Sequence, residues 1–219
     1  MLPVAVVPHP TYDRPRSAPT ASWFLPPSVT PANDDGLLAY YRAIAASTKL
    51  GIVLFQTPAF NFSVGLLRRL REIPNIVGMK DEHGDMKQFV RQWRAASDRL
   101  ELLCGAGEIL APRYFALGAQ GFTSGIVNFM PRTPLRIMES LRAGQLKAGA
   151  EVVEREAMPV FDLRGKRPGY TTVVIKEAIT LCGLEVGPPR PPLAPLAEAD
   201  REELRRLLRQ LGILKSQTA

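Results

Sequence analysis

Cysteine is nearly absent from this chain: Cys104 and Cys182 are the two in 219 residues. One falls in an expected strand and the other in an expected helix, without the close paired spacing of a metal site, so no metal is predicted. Both are read as reduced, buried thiols. Long hydrophobic runs are missing too, the longest being far shorter than the roughly 18 to 20 residues that cross a bilayer. No charged start followed by an apolar core and a small-residue cleavage site opens the chain. A cytoplasmic protein with no membrane partner is the expectation. A glycine-rich phosphate loop is also lacking; "GAGE" follows a strand but does not have the spacing of a dinucleotide fingerprint.

The formal charge is +7, which raises the question of nucleic acid or anionic substrates. The arginines of "LLRRLREI" and "REELRRLLRQLG" lie between leucines at helical spacing, the pattern of the solvated face of an amphipathic helix. Aromatic interleaving is lacking, so no nucleic-acid partner is expected. With 46% hydrophobic and 22% charged residues, the chain can bury one substantial core.

Three stretches differ in character. Residues 1–35 are crowded with proline from Pro8 to Pro31, with a short apolar "MLPVAVV" before them and "SWFL" inside, and are expected to be an irregular segment with remnant strands. Residues 36–145 alternate short β-rich runs, "LGIVLF", "NIVGMK", "LELLCG" and "GFTSGIV", with helical stretches. Residues 146–219 read as C-terminal helices. Strand ends are expected at Phe55, Lys80 and Gly105, which are evenly spaced, and at Gly125 after a slightly shorter step. Ser63 is placed to cap "VGLLRRLREI" and Asp85 to cap "MKQFVRQWRAA", with Met86, Phe89 and Trp93 on one face.

Strands apolar on both faces, alternating with helices, imply a parallel sheet with right-handed crossovers. Periodicity alone leaves a barrel and an open doubly wound sheet in competition. Polar or unusual residues gather at the strand ends, at Gln56 and Thr57, Lys80 to Glu82, Gly105 to Glu108, and Ser124 to Asn128, which favours a barrel with its site at the carboxyl ends. Lys80 there has two readings. A partly desolvated amine at a buried strand end is available to attack a carbonyl; alternatively Lys80 reaches out of the barrel end, or pairs with Asp81 or Glu82.

"NIVGMKDEHGD" resembles the Schiff-base lysine motif of the dihydrodipicolinate synthase and N-acetylneuraminate lyase family, in which a strand ends in Gly-x-Lys-Asp and Gly-Asp follows. "GAQGFTSGIVNFMP" is similar to that family's eighth strand and Asn-x-x-Pro turn, "LRAG" to the end of the next helix, and "VVIKEAITLCGLEVGPPRPPLAPL" to its C-terminal helix and Arg-Pro-Pro-Leu loop. With "LPPSVTPANDDGLLAYYRAIAAST", the resemblance covers about residues 22 to 213. "IVNFMP" and "DLRGKRPGYTTVVIKEA" resemble the 5-dehydro-4-deoxyglucarate dehydratase branch.

The resemblance implies an α/β chain of the (β/α)8 TIM-barrel family with extra C-terminal helices. It also implies a Schiff-base-forming lyase acting on 2-keto acids or acidic sugars, working as a homo-oligomer without cofactor or metal. Lys80 would be the nucleophile. Gln56, Glu82, Gly105, Glu108, Ser124, Gly125 and Asn128 would line the substrate, while turn and capping chemistry explains Ser124 and Asn128 equally well. His83, in a charged loop, reads as solvated.

Two departures from the family stand out. The fifth strand of family members ends in Tyr-Asn, the tyrosine relaying protons; here Phe55 and Gln56 occupy those places, and a phenyl ring relays none. The family's Gly-Thr-Thr-Gly-Glu carboxylate-binding segment is not found, so an incomplete barrel lacking the first strands is expected, with "MLPVAVV" a remnant of the third. A catalytically inactive, truncated family member acting as an interaction or structural subunit is the alternative.

Overall fold

A computed structural model describes residues 21–25 and 32–214; the "MLPVAVV" stretch lies outside them. The described chain forms two compact units that divide between Thr123 and Ser124.

The first unit is a parallel five-stranded sheet with helical connections. Its elements are β1 (Ala21–Phe24), α1 (Asp34–Ser47), β2 (Gly51–Gln56), α2 (Val64–Leu70), β3 (Ile76–Asp81), α3 (Met86–Ala96), β4 (Glu101–Cys104), α4 (Ala111–Ala116) and β5 (Gly121–Phe122). The strands lie side by side in chain order, all pairs parallel. A doubly wound sheet reverses its order at a switch point; this one winds in a single direction, as a barrel does. Consistent with that winding, α1 packs on α2 and α2 on α3.

The strands begin and end where local chemistry dictates. Asn33, Ser63 and Asp85 each accept a backbone N–H from three residues on, from Gly36, Leu66 and Gln88, closing the exposed first turns of α1, α2 and α3. β2, β3 and β4 end within one residue of the expected Phe55, Lys80 and Gly105. Two expectations need correction. "ASWF", in the stretch expected to be irregular with remnant strands, is the regular strand β1, because its four residues pair in register with β2. "GFTSGIV" is not one strand: β5 spans only two residues. Thr123 N–H still donates to the Cys104 carbonyl at 2.9 Å, but then Ser124 caps a 3-10 turn at Ile126–Asn128.

Alternation along the strands separates two faces. Ile52, Leu54, Gln56, Met79, Asp81, Leu102, Cys104 and Phe122 are all buried and share the face covered by the helices. Val53, Phe55, Gly78, Lys80 and Leu103 lie on the other face, in register with one another and with Trp23 of β1. The apolar stripe of α3 runs through Phe89, Gln92, Ala95 and Ala96. Met86 and Trp93, expected on the buried face, are half-buried flanks.

The second unit is helical: α5 (Arg132–Arg142), α6 (Leu146–Val152), α7 (Met158–Gly165), α8 (Tyr170–Leu181) and α9 (Glu198–Gln210), with a π-helical segment Val153–Ala157 linking α6 to α7. Its polar anchor is Asp200 at the start of α9, almost fully buried. It accepts from Lys166 Nζ at 2.5 Å and Tyr170 hydroxyl at 2.8 Å, with Arg167 Nε at 3.2 Å. These contacts, Lys166 first and Tyr170 next, hold its carboxyl below the ordinary range. In α9 the leucines Leu204 and Leu208 are buried, as the amphipathic pattern predicts. Cys182, expected buried, is exposed because it falls just beyond the end of α8. Among the described residues no helix is long and apolar enough to cross a membrane.

Candidate functional site

Lys80 is the penultimate residue of β3 and only 5% exposed. Its register partner on β2 is Phe55, and Nζ sits 3.9 Å from the centroid of that ring and 4.5 Å from that of Trp23. The two rings meet edge to face with centroids 6.2 Å apart. Aromatic faces attract a cation by about 0.5 to 2 kcal/mol each, more as water is removed. The nearest anion is Glu82, whose Oε1 lies 2.6 Å from Nζ. Residues i and i+2 of a strand share a face, and Glu82 continues β3 by donating its N–H to the Gln56 carbonyl at 3.0 Å. The pairing reading of Lys80 is therefore what the structure displays, with Glu82 rather than Asp81 as the partner.

Asp81 points the other way, as alternation requires, and is fully buried. Its Oδ1 accepts from Gln56 Nε2 at 2.9 Å and from His83 N–H at 2.8 Å, and its Oδ2 from the Tyr114 hydroxyl at 2.9 Å. Gln56 in turn accepts from Phe62 N–H at 3.0 Å and from Gln92 Nε2 at 2.7 Å. Gln92 Nε2 also reaches the Phe62 carbonyl at 2.8 Å. Each of these buried polar groups is thus answered, as a low-dielectric interior demands. Burial, followed by the Asp81 charge, pushes the Tyr114 phenol well above its usual range. Burial likewise pushes the Cys104 thiol up, which keeps it protonated and inert.

The remaining expected site residues divide between the two units. Gly105 follows β4 beside Lys80, and its N–H donates to the Asp81 carbonyl at 2.6 Å. A Cβ at Gly105 would lie 2.6 Å from Glu82 Cγ and 2.9 Å from both the Asp81 carbonyl oxygen and Lys80 Cε, so only glycine fits. Lys80, Glu82 and Gly105 thus come together. Gln56 lies on the opposite, helix-facing side, its amide engaged by Asp81, Gln92 and Phe62. Glu108 is fully buried near Cys104 and adds to the charge that raises its thiol. His83 is half-buried rather than solvated, since its backbone turns in to reach Asp81.

Ser124, Gly125 and Asn128 belong to the second unit. Ser124 Oγ accepts from Val127 N–H at 3.0 Å, and Asn128 Nδ2 donates to the Gly125 carbonyl at 2.8 Å, the turn chemistry weighed for both. A Cβ at Gly125 would lie 2.9 Å from Ile175 Cδ1, so glycine there lets the turn pack closely on α8.

Asp81, Gln92, Tyr114 and Trp23 are site residues that sequence reasoning does not single out. A glutamine three residues after Phe89, on the stripe that otherwise buries apolar side chains, is a readable signal for Gln92. Asp81 is signalled by alternation next to Lys80. Nothing local marks Tyr114, far along the chain from its partner Asp81, or Trp23. Among the described residues no three His, Cys, Asp or Glu side chains gather in a metal-binding group.

Residues 19–211 match the dihydrodipicolinate synthetase family. A protein of Variovorax paradoxus (strain S110) named "Probable 5-dehydro-4-deoxyglucarate dehydratase" is 32% identical over 191 residues, covering 86% of this chain and 63% of that protein. A protein of the same name from Rhodococcus opacus (strain B4) shows the same identity and coverage. The crystal structure of dihydrodipicolinate synthase from Oceanobacillus iheyensis aligns with a TM-score of 0.80 at 30% identity, covering 89% of this chain and 65% of that one. The chain therefore spans just under two thirds of the length of these relatives. The likeness and the single direction of winding make the fold that of a TIM barrel, with five of its strands described. From the match across nearly the whole chain, and from the lysine at the end of its third described strand, the chain belongs to the dihydrodipicolinate synthetase family.

Proposed function

We propose that this chain carries the nucleophile of a Schiff-base-forming lyase that acts on 2-keto acids or acidic sugars, its substrate resembling that of the 5-dehydro-4-deoxyglucarate dehydratases. The observation that carries the reading is Lys80, only 5% exposed at the carboxyl end of a parallel strand, with a carboxylate 2.6 Å from its amine. The kinship to proteins named as dehydratases supports the choice of reaction. Imine formation between Lys80 and the keto carbon converts the carbonyl into an electron sink, which lowers the barrier to β-elimination of water or to cleavage of the neighbouring carbon–carbon bond. The +7 formal charge favours anionic substrates at long range. We further propose that the working form is a homo-oligomer.

Reduction with borohydride after incubation with pyruvate, or with a dehydrated sugar acid, tests the reading. Intact-mass and peptide analysis are expected to find one adduct per chain, on Lys80, and none in Lys80→Met. A second reading, that the chain is a non-catalytic subunit, is favoured by Phe55, whose ring lies 3.9 Å from Nζ and carries no transferable proton. Absence of any adduct with either class of substrate would establish that second reading against the first.

A further inference from the structure

Making an imine from a lysine is a problem in moving protons. The nitrogen enters as an ammonium with three protons and leaves as an iminium with one; the other two depart on the carbonyl oxygen as water. A group that accepts and returns protons must therefore stand within hydrogen-bond reach of both atoms in turn. Around Nζ of Lys80 the described side chains are the rings of Phe55 and Trp23, at 3.9 and 4.5 Å to their centroids, and the carboxylate of Glu82 at 2.6 Å. The rings hold the amine by their faces and exchange no protons with it there. Asp81, the adjacent carboxylate, is on the far side of the strand and occupied by Gln56, His83 and Tyr114.

We propose that Glu82 is the acid–base residue that carries protons from Lys80 to the departing carbonyl oxygen, a role that rests on the Schiff-base reading above. Glu82 first takes a proton from the Lys80 ammonium, leaving a neutral amine and a carboxylic acid. The amine lone pair forms the bond to the keto carbon as the carbonyl π electrons move onto oxygen, and Glu82 gives its proton to that oxyanion. The nitrogen, now carrying two protons and a positive charge, returns one to Glu82. Glu82 then protonates the hydroxyl, the nitrogen lone pair closes the C=N bond, and water leaves. The products are the iminium, one water and Glu82 again as carboxylate, so the residue acts twice and is regenerated.

The local structure suits this traffic. Glu82 is a third exposed while Lys80 is 6% exposed at its side chain, so the carboxylate stands between the shielded amine and solvent. Its backbone is held by the hydrogen bond to the Gln56 carbonyl, and its Cγ lies over Gly105, where a Cβ would approach it to 2.6 Å. Glycine at 105 leaves the room that Cγ occupies, and the ion pair keeps the carboxylate on Nζ.

The test follows the rate at which the pyruvate imine forms in the full chain, by quenching with borohydride at timed intervals and weighing the reduced adduct. Glu82→Gln is expected to slow its appearance about 100-fold, and Glu82→Asp to retain more of the rate than Glu82→Gln. In Glu82→Ala, added formate is expected to restore the rate in proportion to its concentration, a response that a merely structural role would not produce. A wild-type rate in Glu82→Gln overturns the proton-carrying role while leaving the Schiff-base reading in place. Slow variants that formate does not rescue overturn it too, assigning Glu82 to holding Lys80. No adduct in the wild-type chain overturns the Schiff-base reading, and the role of Glu82 falls with it.

Discussion

Replacing Tyr114 with phenylalanine removes one oxygen atom from the buried cluster behind Lys80. The hydroxyl donates to Asp81 Oδ2 at 2.9 Å, and Asp81 is fully enclosed. The phenyl ring still packs on Phe89, at a centroid distance of 4.6 Å, and the carboxylate keeps its bonds from Gln56 and His83. A hydrogen bond to a charged group contributes about 1.5 to 3 kcal/mol, so the loss should be about 2 kcal/mol. With a denaturant slope of about 1 to 3 kcal/mol/M in urea, the unfolding midpoint should drop by roughly 1 M. Asp81→Asn removes the charge from the same contact, so the double variant should lose less than the sum of the two single losses, with a coupling of about 0.5 to 3 kcal/mol. Urea unfolding followed by circular dichroism on the four proteins measures this. A change below about 0.5 kcal/mol in Tyr114→Phe, or strict additivity with Asp81→Asn, would show that the hydroxyl does not support the strand end that carries Lys80.

Gly105→Ala should both destabilise the first unit by about 1 to 3 kcal/mol, as forced overpacking does, and abolish borohydride trapping, because its Cβ meets the Asp81 carbonyl and Lys80 Cε at 2.9 Å; an alanine variant that is stable and traps at the wild-type rate would contradict the close approach. Stability should also fall as pH rises above about 10, where tyrosines ionise in the unfolded chain. Burial raises the folded values of Tyr41 and Tyr114, so above that pH the native state holds protons that the unfolded state has lost, and the equilibrium shifts toward unfolding. Tyr41→Phe and Tyr114→Phe should each reduce this alkaline slope in urea titrations, and an unchanged slope in both would refute the assignment.

Much of the architecture was legible because it depends on short-range periodicity. Alternation marked β2, β3 and β4, caps at Ser63 and Asp85 marked the helix starts, and the even spacing of Phe55, Lys80 and Gly105 matched the repeat of one strand and one helix. β5 was misjudged because "GFTSGIV" is apolar enough for a strand, while its turn depends on Ser124 capping Val127. Within the irregular stretch the place of β1 is not readable, because "ASWF" is too short to declare itself and is a strand by virtue of its neighbour β2.

The amino-acid order alone determined that a lysine would stand at the end of a strand in a parallel sheet, since strand and helix periods and the Gly-x-Lys-Asp motif are local properties. Only the tertiary structure decided the company it keeps. Register set Phe55 opposite Lys80 and brought Trp23 over its amine; alternation turned Glu82 toward it and sent Asp81 to Gln56 and Tyr114. Trp23 and Phe55 reach Lys80 from two separate strands that precede it, and Tyr114 reaches Asp81 from a helix beyond the next strand. Which side chains meet over such spans depends on the packing of several elements at once, and no single segment encodes it.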